Sequence, residues 1–170
     1  DGGNSLSDLG GKGILGGYSG VDSSSLFGSG PGSPKLISTI GHGAAYGGHG
    51  SGNAQTYGHH SLSALLGGSA GGASDAEGSG AGGGAIHLKA SRELVIEPNV
   101  LITANGGDGT GNGASGSGGS VLLEANRVLN HGRIEAKAGN GVQVNGEDQS
   151  RGSSGGRVAI LASAEVKAGD

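Results

Sequence analysis

Three copies of one short aliphatic zigzag, held in register, limit what this chain can become. Gly84-Ala85-Ile86-His87-Leu88-Lys89-Ala90 is answered by Gly119-Ser120-Val121-Leu122-Leu123-Glu124-Ala125, and again by Gly156-Arg157-Val158-Ala159-Ile160-Leu161-Ala162. Ile86, Val121 and Val158 stand 35 and 37 residues apart. Leu88, Leu123 and Ile160 keep those spacings, as do Ala90, Ala125 and Ala162. Repeats of 20–50 residues mean stacked units, because one unit cannot bury its apolar face alone. Aliphatic residues alternate with His, Lys, Glu and Arg, so one face of each strand turns inward and the other meets water.

The first copy runs on through Leu94-Val95-Ile96 and Val100-Leu101-Ile102-Thr103-Ala104 into Asn105-Gly106-Gly107-Asp108-Gly109. The second runs through Val128-Leu129 and Ile134-Glu135-Ala136-Lys137-Ala138 into Gly139-Asn140-Gly141. The third continues to Val166. Gly or Asn sits at the corners, where a positive φ is needed. The pattern predicts an all-β chain, a parallel β-helix (β-solenoid) over residues 85–170, with repeats of about 85–118, 119–155 and 156–170. Small Ala at inward positions suits a narrow interior.

Residues 1–84 differ in kind. They hold 27 of the 43 glycines and only seven of the charged residues. Leu6, Leu9, Ile14, Leu15, Val21, Leu26 and Phe27 are scattered among Gly and Ser. Residues 35–40 suit one strand, 61–66 suit a strand or a helical turn, and 67–84 are almost purely Gly, Ala and Ser. This half is expected to be a glycine-rich region packed on the repeats or linked to them. Its chain is either loop-dominated or polyglycine-II-like.

Composition removes several classes. Without cysteine there is no disulfide and no thiolate zinc site. No apolar run approaches the ~20 residues of a membrane span. Irregular glycine spacing excludes collagen. A net charge of −4 and a pI near 5.8 give no nucleic-acid footprint. At 32% hydrophobic residues a thick globular core is not expected.

The succession of Gly-Gly, alternating apolar strand, short turn, Gly-x-Ile-x-Ala and Gly-x-Gly resembles the glycine-rich parallel β-helix repeats of large cell-surface proteins, filamentous-haemagglutinin-like adhesins among them. The stretch Ala44-Ala45-Tyr46-Gly47-Gly48-His49-Gly50, with Tyr57-Gly58 and Gly82-Gly83-Gly84, is similar to upstream parts of such modules in extracellular glycine-rich structural proteins. The resemblance covers residues 42–167 loosely and 84–162 best. It implies an extracellular or cell-surface location and a structural or adhesive role, and it carries over no catalytic residue.

Candidate chemistry is sparse. His42, His49, His59 and His60 fall within 19 residues, but no Asp, Glu or Cys lies between them to complete a metal set. Gly106-Gly107-Asp108-Gly109-Thr110-Gly111-Asn112 hints at a calcium β-roll, yet Thr110 stands where a second acid belongs. If calcium binds, Asp108, Glu147 and Asp148 are the oxygen donors to test. Otherwise no cofactor is expected. Gly-x-Gly-x-x-Gly matches arise by chance at this glycine content, and Gly10-Gly11-Lys12-Gly13 lacks the hydroxyl residue a P-loop needs. Glu97, Glu124 and Glu135 alternate with Lys and Arg, which reads as a solvated face rather than an acid–base pair. Tyr18, Tyr46 and Tyr57 are candidate packing anchors.

These observations lead to a non-enzymatic structural or adhesive module, a subunit of a surface fibre or filament. Its expected partner is itself, joined head to tail, with surface glycans a second candidate. Neither nucleic acid nor membrane insertion is expected. A carbohydrate-binding or carbohydrate-active β-helix is one alternative. An ice-binding solenoid is another, although Thr39, Thr56, Thr103 and Thr110 do not repeat in register.

Overall fold

In the computed structural model, the described residues are 1–6, 8–25, 27–35, 40–141 and 152–168. Among the described residues six strands are present: β1 (Ala85–Lys89), β2 (Glu93–Ile96), β3 (Leu101–Thr103), β4 (Ser120–Asn130), β5 (Arg133–Glu135) and β6 (Arg157–Ala168). No described residue is helical. All strand pairs are parallel. β1 and β2 lie along one side of β4 and β6 along the other, while β3 and β5 form a separate two-stranded sheet.

Register follows the aliphatic zigzag. Ile86 pairs with Val121 and Val121 with Val158; Leu88 pairs with Leu123 and Leu123 with Ile160. Parallel strands need crossovers, and the glycine-rich segments supply them. Where β1 ends and β2 begins, β4 and β6 continue through a bend, marked by a register shift between Ala125 and Arg127. Between β2 and β3 the chain turns at Pro98 and Asn99. Asn99 has φ 68° and the Val100 amide donates to the Glu97 carbonyl, as a turn with Pro then a left-handed Asn requires. The dry interior is thin. Ile96, Ala104, Val121, Leu123, Ala125 and Val128 are buried, with Ile102 and Ile134 of the second sheet packed against them.

The architecture corrects the expected parallel β-helix (β-solenoid) over residues 85–170. The molecule instead holds two small parallel sheets, and most described residues lie outside any strand. Among the described residues of 1–84 the isolated Leu6–Leu9 bridge is the only β pairing. Of the two local expectations there, 61–66 forms a bend with Leu62 at φ 52°, and 36–39 lie outside the described residues.

The physical reason is how the glycine-rich backbone finds its partners. The amides of Gly80 and Gly83 donate to Ala114 and Ser117, and their carbonyls accept from Gly71 and Gly68. The Ser79 and Gly82 amides donate to Val21 and Tyr18, on a third side, and Ala81 joins Gly3 and Gly107 on others. Bonding thus recurs every three residues and reaches several neighbours. A strand has a period of two and pairs on two sides only. An extended chain with three residues per turn presents its amides all round.

Such close approach leaves no room for side chains. A Cβ on Gly82 would lie 1.8 Å from the Gly68 carbonyl oxygen, and one on Gly116 would lie 1.9 Å from that of Ala81. The intervening positions are Ala and Ser. Ala70, Ala81, Ser69, Ser79 and Ser117 are all fully buried, and the hydroxyls bond to backbone groups such as the Val21 amide on Ser79 Oγ.

Candidate functional site

The residues singled out for chemistry do not converge. His59 and His60 are exposed, their ring centroids 4.1 Å apart, and His59 Nδ1 lies 2.7 Å from Ser61 Oγ. His49 is exposed, and His42 is half-buried, its carbonyl accepting from the Gly72 amide. Among the described residues no three His, Cys, Asp or Glu side chains are placed to hold a metal ion. Glu147 and Asp148 lie outside the described residues.

Asp108 has a different employment. Its Oδ1 accepts the Asn140 amide at 2.6 Å, while its own amide donates to Asn4 Oδ1 at 2.9 Å. Three residues earlier, the Lys137 amide donates to Asn105 Oδ1 at 2.7 Å and the Asn105 amide to Asp1 Oδ1 at 2.8 Å. Asp1-Gly2-Gly3-Asn4 therefore lies beneath Asn105-Gly106-Gly107-Asp108, which lies beneath residues 137–140. Side-chain oxygens tie each level to the next.

The acids of the sheet are held by cations. Glu124 takes Lys89 at 2.7 Å and His87 at 3.1 Å. Glu135, nearly buried, takes Arg133 at 2.6 Å and Lys137 at 2.8 Å. The Lys137 hydrogen bond holds the Glu135 carboxyl below its usual range, and Lys89 does the same for Glu124. Glu97 is exposed beside its turn. A general acid needs a raised pKa and a second carboxyl facing the same space; Glu124 and Glu135 are shifted the other way.

Tyr46 joins the halves, and Tyr57 packs on it. Tyr46 is fully buried, its hydroxyl 2.5 Å from Ser120 Oγ at the start of β4, and its ring centroid 4.7 Å from that of Tyr57. The Arg157 guanidinium lies 4.9 Å from the Tyr46 ring centroid and donates to the Tyr46 carbonyl at 3.2 Å. Burial pushes the Tyr57 phenol above its ordinary range. Arg157 escapes sequence reading because 111 residues separate it from Tyr46. Tyr18 is 39% exposed.

The feature with the form of an interaction site is β6. It pairs with β4 alone, so its outer edge carries unpaired backbone groups among the described residues. Val158, Leu161 and Val166 are 46%, 46% and 53% exposed. On the opposite flank β1 and β2 also pair with β4 alone, but the start of β1 is capped. The Ala85 amide donates to the Leu15 carbonyl, and residues 1–4 close the levels of 105–108. Beside the bend, Glu93 of β2, Arg127 of β4 and Glu165 of β6 form a row of alternating charge, with contacts of 3.2 and 2.7 Å.

Comparison with family models, curated proteins and solved structures finds no match.

Proposed function

We propose that this chain is a structural and adhesive module of the extracellular or cell-surface kind, a building element of a fibre or layer that works by associating with copies of itself. The observation that carries this reading is the outer edge of β6, twelve residues long and unpaired among the described residues, with Val158, Leu161 and Val166 about half exposed. Such an edge is a template for another strand. The acids held in ion pairs and the scattered histidines favour a structural role over catalysis. Sedimentation velocity across a wide concentration range tests the proposal. Defined oligomers or fibres are expected; a monomer at every concentration would refute it.

A further inference from the structure

We propose that the open β6 edge receives the β6 edge of a second copy, the two related by a twofold axis, instead of the β1–β2 flank of the next molecule in a head-to-tail row. The inference rests on the self-associating role proposed above and specifies its geometry.

A head-to-tail row would continue the register seen at both existing joints, in which residues 85, 120 and 157 are level, and 93, 127 and 165 are level. Two features oppose it. First, the position facing Ala85 is already occupied. The Leu15 carbonyl accepts the Ala85 amide just as the Gly84 carbonyl accepts that of Ser120 and the Gly119 carbonyl that of Arg157. An incoming Gly156 carbonyl would need the place that Leu15 holds. Second, Glu165 of one molecule would stand about 4.8 Å, one strand spacing, from Glu93 of the next. Like charges directly opposite destabilise a strand pair. Arg127 and Lys167 already contact Glu165, and Arg127 also contacts Glu93, so neither acid brings an unused cation.

The β6 edge has neither obstacle. Val158, Ile160, Ala162 and Val166 are level with Val121, Leu123, Ala125 and Val128, which are all buried. The inward side of β6 is thus known on both arms of the bend. A twofold axis bisecting the bend at Ser163 keeps that side inward in both copies. It lays the Ile160 arm of one molecule on the Val166 arm of the other, apolar on apolar, and places Glu165 level with Leu161. Such an isologous contact closes on itself. On the other flank Leu15 caps the start of β1, and the isologous pair uses no part of that flank.

The absence of cysteine makes a direct test clean. Ser91, Asn126 and Ser163 follow Ala90, Ala125 and Ala162 at the bend, and all six line one open groove. In the twofold pair Ser163 meets Ser163; in a head-to-tail row Ser163 meets Ser91. The expected results are a dimer by sedimentation that does not grow with concentration, and a covalent dimer when Ser163→Cys is oxidised alone. No disulfide is expected between Ser91→Cys and Ser163→Cys molecules when mixed. Val166→Lys, at a position 53% exposed, is expected to weaken dimerisation at least tenfold while leaving the circular dichroism of the monomer intact. Fibres linked through residues 91 and 163 would overturn the twofold contact and leave the self-associating role standing. A monomer throughout would overturn both. A dimer that Ser163→Cys does not lock would overturn the twofold contact.

Discussion

The glycine-rich part and the strand part achieve dense packing by opposite means. Around β4 the chain buries aliphatic side chains, and the backbone bonds in ladders on two sides. Around residues 79–84 it removes side chains, and backbone meets backbone on several sides. The first arrangement gains from apolar area. The second gains from satisfied amides and close contact, and it tolerates only Gly, Ala and Ser where chains touch. A sequence poor in large hydrophobic residues thereby still acquires a dry interior.

The sharpest break in this comparison is a single methyl group. Gly82→Ala places a Cβ 1.8 Å from one backbone oxygen and 2.1 Å from its carbon, with no flexible side chain to yield. We expect a loss above ~4 kcal/mol, the range of exceptional substitutions, and failure to accumulate folded protein. Gly152→Ala meets nothing within 4 Å and is expected to stay within ~0.5 kcal/mol. Urea unfolding of both variants checks the contrast; equal effects would mean that backbone contact does not hold the glycine-rich part together.

The strand part should yield more gradually. Leu123 is fully buried between Leu88 and Ile160. Leu123→Ala removes core volume and leaves a cavity, at a cost of ~2–5 kcal/mol. Its unfolding transition should be lower yet still cooperative. A second, separate transition for the glycine-rich part would show that the two parts fold independently.

The same contrast explains what was legible in the sequence. Alternation makes a strand visible, so Ile86, Val121 and Val158 disclose their register from spacing alone. No such code exists for the glycine-rich chain, where the informative property is an absent side chain and the partners are distant. Reading residues 85–170 as a β-helix therefore carried the strand register into one stacked coil, where the chain forms two small parallel sheets with glycine-rich segments outside any strand. The cover on one flank was missed for the same reason, although Asp1-Gly2-Gly3-Asn4 has the pattern of Asn105-Gly106-Gly107-Asp108, and that likeness was available. Asp108, flagged for calcium, is bound into this ladder of Asn and Asp side chains.

The junction between the parts sharpens the comparison at smaller scale. Tyr46→Phe removes the contact with Ser120 Oγ, which retains a 2.6 Å bond to the Leu66 carbonyl. The expected cost is about 1 kcal/mol, that of one net hydrogen bond. Tyr57 supplies an optical reporter of the same junction. Its phenol is raised by burial, so the folded state keeps it neutral and contributes stability that is whole below the ordinary tyrosine value of ~10 and is lost as pH rises beyond it. One tyrosinate absorbance step should coincide with loss of circular dichroism. A Tyr57 step well before unfolding would mean that the junction is open to water.

Acid acts on the ion pairs of the strand part, and most gently. Glu135, Glu124 and Glu165 all have carboxyls held below the ordinary range, chiefly by Lys137, Lys89 and Lys167 in turn. A carboxyl lowered in the folded state contributes stability that is full above the unfolded value of ~4.3 and is lost as pH falls through the lowered one. The urea midpoint should therefore hold steady from neutral pH to about 5 and decline below it. Glu135→Gln should flatten part of that decline, since Glu135 combines near-burial with two cationic partners. The glycine-rich core bonds through backbone groups and serine hydroxyls that do not titrate in this range, so hydrogen exchange at the amides of Gly80, Gly82 and Gly83 should show no local opening across the same interval, other than through global unfolding. Selective acid opening at those glycines, with the Leu123 and Val128 amides still protected, would reverse the assignment of charge-held and backbone-held regions.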